Sequence, residues 1–192
     1  MKTFISAGHS KENTEEGKTT KLIRDEVKKI FLDAIYVPDD LTLSQKVDWI
    51  NERADKNDFA LDIHLNYNDD KNLRGVEAYF DNNMNDAMII SECVATNMHI
   101  PNRGAKHDSL SFVGSLGFLR LISCDSIVIE CGYQSNEDDR NAIFFRKNIA
   151  KGIIEGLERI GKIQNVEKDI ITFQKKVIVL LKQLLKLLMN KG

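Results

Sequence analysis

Two histidines and a glutamate stand where strand-like runs end in this 192-residue sequence. His9 follows Thr3–Ala7 across Gly8, His64 closes Phe59–Ile63, and Glu130 closes Ser126–Ile129 with Gly132 just beyond. In open α/β sheets, ligand-binding and catalytic groups gather beyond the carboxyl ends of strands. Two neutral imidazoles and one carboxylate make a catalytic zinc donor set that leaves a coordination position open for water. The third donor could be Glu12, Glu15 or Glu16, all in the stretch after His9. Glu130 would then be a separate carboxylate, a general base to the water and an acid to the leaving group.

Each residue also has a plainer reading: a lone strand-end histidine packs or hydrogen-bonds, and a strand-end glutamate faces solvent. Glu130 stands out because it closes the apolar run Ile127-Val128-Ile129. Burial there would raise its pKa toward the range useful for proton transfer. Cys131 reads as a small core residue, since no base is placed for it. His99 and His107, near Pro101 and Gly104, receive no role.

The elements that must position these groups alternate along the first 160 residues. Thr3–Ala7, Ala34–Val37, Phe59–Ile63, Gly75–Phe80 and Ser126–Cys131 read as strands. Between them, helical spacing runs through Glu16–Leu32, from Thr42 or Ser44 to Ala54, and through Asp86–Asn97. A long helix is predicted over Asn136–Ile160. The expected class is α/β, with a twisted, largely parallel or mixed central sheet flanked by helices. Disordered, collagen-like and mucin-like classes are excluded by 42% hydrophobic residues, two prolines and eleven glycines.

The formal charge of −2 hides a division. Residues 163–192 hold six lysines against Glu167 and Asp169, so they carry +4 and residues 1–162 carry −6. We read 1–162 as a catalytic domain and 163–192 as a C-terminal amphipathic helix. Ile170, Phe173, Val177, Leu180, Leu184 and Leu187 follow an a/d heptad, which suits an oligomerising helix over 165–189. Docking on the parent domain and contact with an anionic membrane surface are the alternatives. Lys182 and Lys186 argue against a membrane span. No global basic field points to nucleic acid. Cys93, Cys124 and Cys131 form no disulfide framework, so synthesis in a reducing compartment is expected. The N-terminus has a short apolar run and no cleavage pattern, and reads as a strand, not a secretory signal.

Several segments together resemble one family, the zinc-dependent N-acetylmuramoyl-L-alanine amidases of the type 3 catalytic domain. Ile5-Ser6-Ala7-Gly8-His9-Ser10 is similar to the family's opening strand and Gly-His. The family's helix, strand and His-x-Asn block are resembled by Lys46–Asn51, Ala54 and Phe59–Asn66. Gly75–Phe80 resembles the next strand, Asn102–Lys106 its Arg-Gly element, and Ile127–Asn136 the segment bearing the catalytic glutamate.

The resemblance covers about residues 2–160 in family order, and five blocks in register make a strong signal. It implies one zinc ion per chain on His9, Glu16 and His64, with Glu130 as catalytic residue and Asn66 and Arg103 toward the substrate. Glu16 is preferred to Glu15 because it leaves Val27 and Phe31 on the helix's buried face, whereas starting from Glu15 puts Glu26 there. The sequence departs from the family at Ser6-Ala7 before Gly8, in the short loop from His9 to Glu16, and at Tyr67 after Asn66. The implied reaction is cleavage of the amide between the lactyl group of N-acetylmuramic acid and L-alanine in peptidoglycan. Without a signal peptide, the expected setting is cytoplasmic synthesis and action on the wall after release, as in a phage endolysin passing a holin or in lysis from within. A zinc peptidase acting on another amide, and a non-catalytic wall-binding or assembly module on a degenerate amidase fold, are the other readings.

Overall fold

A computed structural model describes residues 1–12 and 14–163. The amphipathic helix expected over 165–189 lies outside the described residues. Six strands form one sheet: β1 (Thr3–Ala7), β2 (Ile35–Tyr36), β3 (Phe59–Asn66), β4 (Val76–Phe80), β5 (Asn102–His107) and β6 (Asp125–Tyr133). The helices are α1 (Glu15–Lys28), α2 (Leu43–Asn51), α3 (Met84–Met98), α4 (Gly117–Leu121), α5 (Glu137–Phe144) and α6 (Arg146–Arg159). The spatial order is β2-β1-β3-β6-β4-β5. All neighbours run parallel except β4 and β6.

This order places a crevice at the site. From β1 the chain crosses by α1 to β2 on one side, then returns by α2 to β3 on the other side of β1. Successive crossovers in opposite directions leave the carboxyl ends of β1 and β3 uncovered between them, the usual ligand position of such sheets. The antiparallel return of β4 beside β6 brings the start of β4 to the same end.

Strand alternation sorts side chains onto two faces. On one face, Phe4, Ala60, Tyr79 and Val128 pack against Val47 and Ile50 of α2 and Phe118 and Leu119 of α4. On the other lie Ile5, Leu61, Ile63, Ile127 and Ile129, all fully buried beneath α1 and α3, and α6 packs against both of those helices. Gly152 lets α6 approach α3 closely, because a Cβ there would sit 2.5 Å from Val94 Cα. α2 starts at a complete capping box, with Thr42 and Gln45 each satisfying the other's backbone.

The long helix expected over Asn136–Ile160 is instead two. Phe145, at φ −84° and ψ 60°, leaves the helical region and separates α5 from α6. Continuing the stripe from buried Ile143 would require apolar residues three and four positions on, where Arg146 and Lys147 stand. The stripe restarts at Ile149, Ile153 and Leu157. β5 and α4 were not expected as elements. Each is short, and β5 carries Arg103, Lys106 and His107 in place of an apolar run.

Candidate metal centre and active site

The first donor is placed by a sharp change of direction. His9 adopts φ +51°, a left-handed conformation uncommon outside glycine, which turns the chain out of β1 toward α1. Gly8 before it is required by packing: a Cβ at that position would lie 2.4 Å from Cε1 and Nε2 of His64. α1 begins at Thr14, whose side chain accepts from the Gly17 amide at 3.0 Å, so Glu15 and Glu16 occupy the first turn, where the helix dipole favours acids. Glu15 is exposed and pairs with Lys18, whereas Glu16 turns inward.

His9, Glu16 and His64 come together. Each offers one ligand atom, and these atoms all lie within 4.8 Å of one another. Glu16 Oε1 is 3.1 Å from His64 Nδ1 and also accepts from the Leu65 amide at 3.2 Å, while Glu16 Oε2 is 3.9 Å from His9 Nε2. Glu12, also weighed as a donor, lies 3.0 Å from His9 Nδ1 and is exposed. Burial works to raise the Glu16 pKa, but the hydrogen bond and charge of His64, the charge of His9 and the Leu65 amide outweigh it and hold the carboxyl below its ordinary range. Burial likewise opposes protonation of His64, yet Asp62, Glu16 and Glu130 raise its pKa well above the ordinary value. A clustered pair of imidazoles with an ionised carboxylate is the donor chemistry that fits zinc.

Glu130 sits beside this cluster, in direct strand register with His64 on β3 and with Glu77 on β4. Its Oε2 is buried and has no hydrogen-bond partner among the described residues. Burial is the main cause that pushes its pKa up to about 7; the positive charge of His64 opposes, and Glu16, Glu77 and Asp62 add to the rise. His9, His64 and Glu130 line one cavity of about 590 Å³, walled by Leu41, Leu43, Val113 and Phe118 and floored by Lys46 and Asp62.

Asn66 and Arg103 meet on a residue that sequence reasoning passed over. Glu77, 1% exposed, accepts from Asn66 Nδ2 at 2.8 Å, Arg103 Nε at 2.8 Å, Tyr79 Oη at 2.9 Å, Tyr133 Oη at 3.4 Å and Lys106 Nζ. Arg103 also stands over the Tyr133 ring. Burial opposes ionisation of Glu77, but Lys106, Arg103 and Tyr79 together bring its pKa below the ordinary value. Asp62 and Lys46 were passed over too; Lys46 is buried and donates to the Ala7 carbonyl. The available signal was strand period, since Asp62 and Glu77 are acids inside apolar runs, each in phase with a chemistry-bearing face.

His99 caps α3 in a left-handed conformation, and His107 lies apart from the cavity beside Asp81 and Asp108. Their ligand atoms also fall within 4.8 Å, but Arg120 binds both acids, donating to Asp108 Oδ2 at 2.7 Å and pairing with Asp81 at 2.8 Å. The guanidinium already supplies the cation there.

An α/β sheet carrying a three-donor cluster and an adjacent raised carboxylate at its topological switch defines a candidate hydrolase centre of the metal-assisted class. Residues 5–159 match the family described as N-acetylmuramoyl-L-alanine amidase, and the chain belongs to that family. Solved structures agree in fold. The catalytic domain of CwlV, an N-acetylmuramoyl-L-alanine amidase from Bacillus (Paenibacillus) polymyxa var. colistinus, is 19% identical with a TM-score of 0.71, over 85% of this chain and 100% of that one. AmiC2 of Nostoc punctiforme, also an N-acetylmuramoyl-L-alanine amidase, is 20% identical with a TM-score of 0.72, over 84% and 98%. The catalytic domain of the CD27L endolysin, targeting Clostridia difficile, is 23% identical with a TM-score of 0.68, over 83% and 97%. No curated protein sequence matches. Among the described residues, no helix is long and apolar enough to cross a membrane. Family membership supports N-acetylmuramoyl-L-alanine amidase activity on peptidoglycan.

Proposed function

We propose that this chain is a zinc-dependent hydrolase that cleaves the amide between the lactyl group of N-acetylmuramic acid and L-alanine in peptidoglycan. The observation that carries this reading is the convergence of His9, Glu16 and His64, two of which line one cavity together with Glu130. One zinc ion per chain would be held by those three side chains, where it supplies Lewis acidity to water and to the lactyl carbonyl. Glu130 does the proton work. Its raised pKa lets it take a proton from the attacking water at neutral pH and return it to the departing alanine nitrogen. The second transfer is essential, because an amide nitrogen leaves poorly unless protonated. Asn66 and Arg103, held by Glu77 next to Glu130, orient the substrate. The catalytic domain is 1–162, and residues 163–192 multiply it by self-association, which raises avidity for a polymeric wall.

The test is digestion of purified peptidoglycan with and without a chelator. New N-terminal alanine, unchanged glycan reducing ends, and loss of both activity and bound zinc on chelation are expected. Release of any other terminus, or full activity after zinc removal, rejects the reading.

A further inference from the structure

We infer that Asp62 is the positioning carboxylate of this centre: it selects the ring orientation and tautomer of His64 that presents Nδ1 toward Glu16 and His9. The inference rests on the metal centre proposed above and adds a residue to it. Asp62 and His64 are two positions apart on β3, so both side chains leave the same face of the sheet. Asp62 is 3% exposed, and its Oδ2 lies 3.0 Å from His64 Nε2. A carboxylate oxygen stands at each ring nitrogen, so the choice falls when a cation takes the Nδ1 side beside Glu16: the Asp62 contact then keeps the ring proton on Nε2 and leaves the Nδ1 lone pair to the cation.

Asp62 is fixed by its place in the sheet: Ser6 stands opposite it in strand register on β1, and the buried Lys46 of α2 lines the same cavity. The ring has little room beside the backbone of β1, since a Cβ at Gly8 would lie 2.4 Å from its Cε1–Nε2 edge. The alternative open to a clamped imidazole is a flip, which exchanges Nδ1 with a carbon and carries Nε2 away from Asp62. The Asp62 contact opposes that flip and so keeps a nitrogen, not a carbon, 3.1 Å from Glu16. Partners that orient a ligating histidine in this way typically contribute 10–100-fold to metal affinity.

The experiment is zinc competition against a chromophoric chelator on the full chain, comparing wild type, Asp62→Asn and Asp62→Ala. The expected result is a zinc Kd raised about 10–100-fold in Asp62→Ala. Asp62→Asn, which keeps the size and an acceptor oxygen, should fall between it and wild type, and it serves as the test if the alanine variant does not fold. Nitrogen NMR of the zinc-loaded protein supplies a readout that a merely structural role would not move: His64 should carry its proton on Nε2. A Kd within twofold of wild type in the folded variants, or an Nδ1-protonated His64 in zinc-loaded wild type, overturns the inference. If wild type takes up no zinc, all three proteins read alike, and it is the metal centre itself that is overturned.

Discussion

Replacing Glu130 by glutamine should abolish hydrolysis and, in metal-free protein, raise stability. Glu130 is partly buried beside three other acids, and its pKa stands at about 7 against an ordinary 4.5. A carboxyl raised in the folded state binds more protons folded than unfolded between those two values. Stability therefore falls as pH rises through that window and stays reduced above it. For a shift of this size the penalty at pH 7 is roughly 3 kcal/mol, an upper bound because the group keeps some solvent contact. Glutamine occupies the same volume and carries no charge, so Glu130→Gln escapes that term. For a chain of this length, the gain corresponds to roughly 6–12 °C in Tm.

The assay is urea unfolding of both proteins in chelator, followed by circular dichroism at pH 4.5 and pH 8. The two should nearly coincide at pH 4.5 and separate at pH 8, with glutamine the more stable. In parallel, zinc uptake should persist while peptidoglycan turnover is lost. A glutamine variant that is less stable at pH 8, or a stability difference indifferent to pH, refutes the burial argument. Near-normal turnover removes Glu130 from the proton path.

Gly8→Ala should displace the His64 ring, since the new Cβ has only 2.4 Å to its nearest atoms. Displacement on the ångström scale predicts a loss of about 100-fold in turnover, read by peptidoglycan digestion at saturating zinc, and wild-type turnover would contradict it. The profile of kcat/KM against pH should show an acid limb where Glu130 gains its proton. That limb lies above 4.5 and at or below about 7, because a bound cation lowers the metal-free value; a profile flat across this range is the contrary result. Glu77→Gln should destabilise by roughly 3 kcal/mol, because Arg103 and Lys106 lose their buried counter-charge. Glu77 has a lowered folded pKa, so its contribution is present above the ordinary glutamate value and is lost as pH falls through the folded one. The gap to wild type measured by urea unfolding should narrow on acidification, and a constant gap would count against the ion pairs.

The fold was legible where burial is periodic. β1, β3 and β6 are apolar runs of the right length, and α1 and α3 have stripes bounded by turn residues, so their places in an α/β layer follow from pattern. The break at Phe145 was not read because no proline or glycine marks it; its trace is the pair Arg146-Lys147 where the stripe should continue. β5 escaped because it lies at the sheet edge with five of its six residues only half-covered, and its side chains serve Glu77, not the core. In the site, the ends of apolar runs nominate His9, His64 and Glu130, although β3 and β6 themselves run on past His64 and Glu130 to Asn66 and Tyr133. Glu77 and Asp62 needed the register between strands, and pairing partners are not written in any single segment.

That register also explains how one sheet gives two glutamates different work. Glu77 and Glu130 stand opposite each other on antiparallel strands, at the same level and with the same side chain. Glu77 is met by Lys106 and Arg103 from β5, by two tyrosine hydroxyls and by the Asn66 amide, so it stays ionised and fixes its neighbours. Glu130 lies one strand further from β5, where those cations are already committed, and faces Glu16, Asp62 and Glu77 with His64 in opposition. Neighbouring acids whose environments drive their pKa values apart mark a division of roles. The strand order, with the antiparallel β4 set between β6 and β5, is what keeps the cations on one glutamate and leaves the other free to carry a proton.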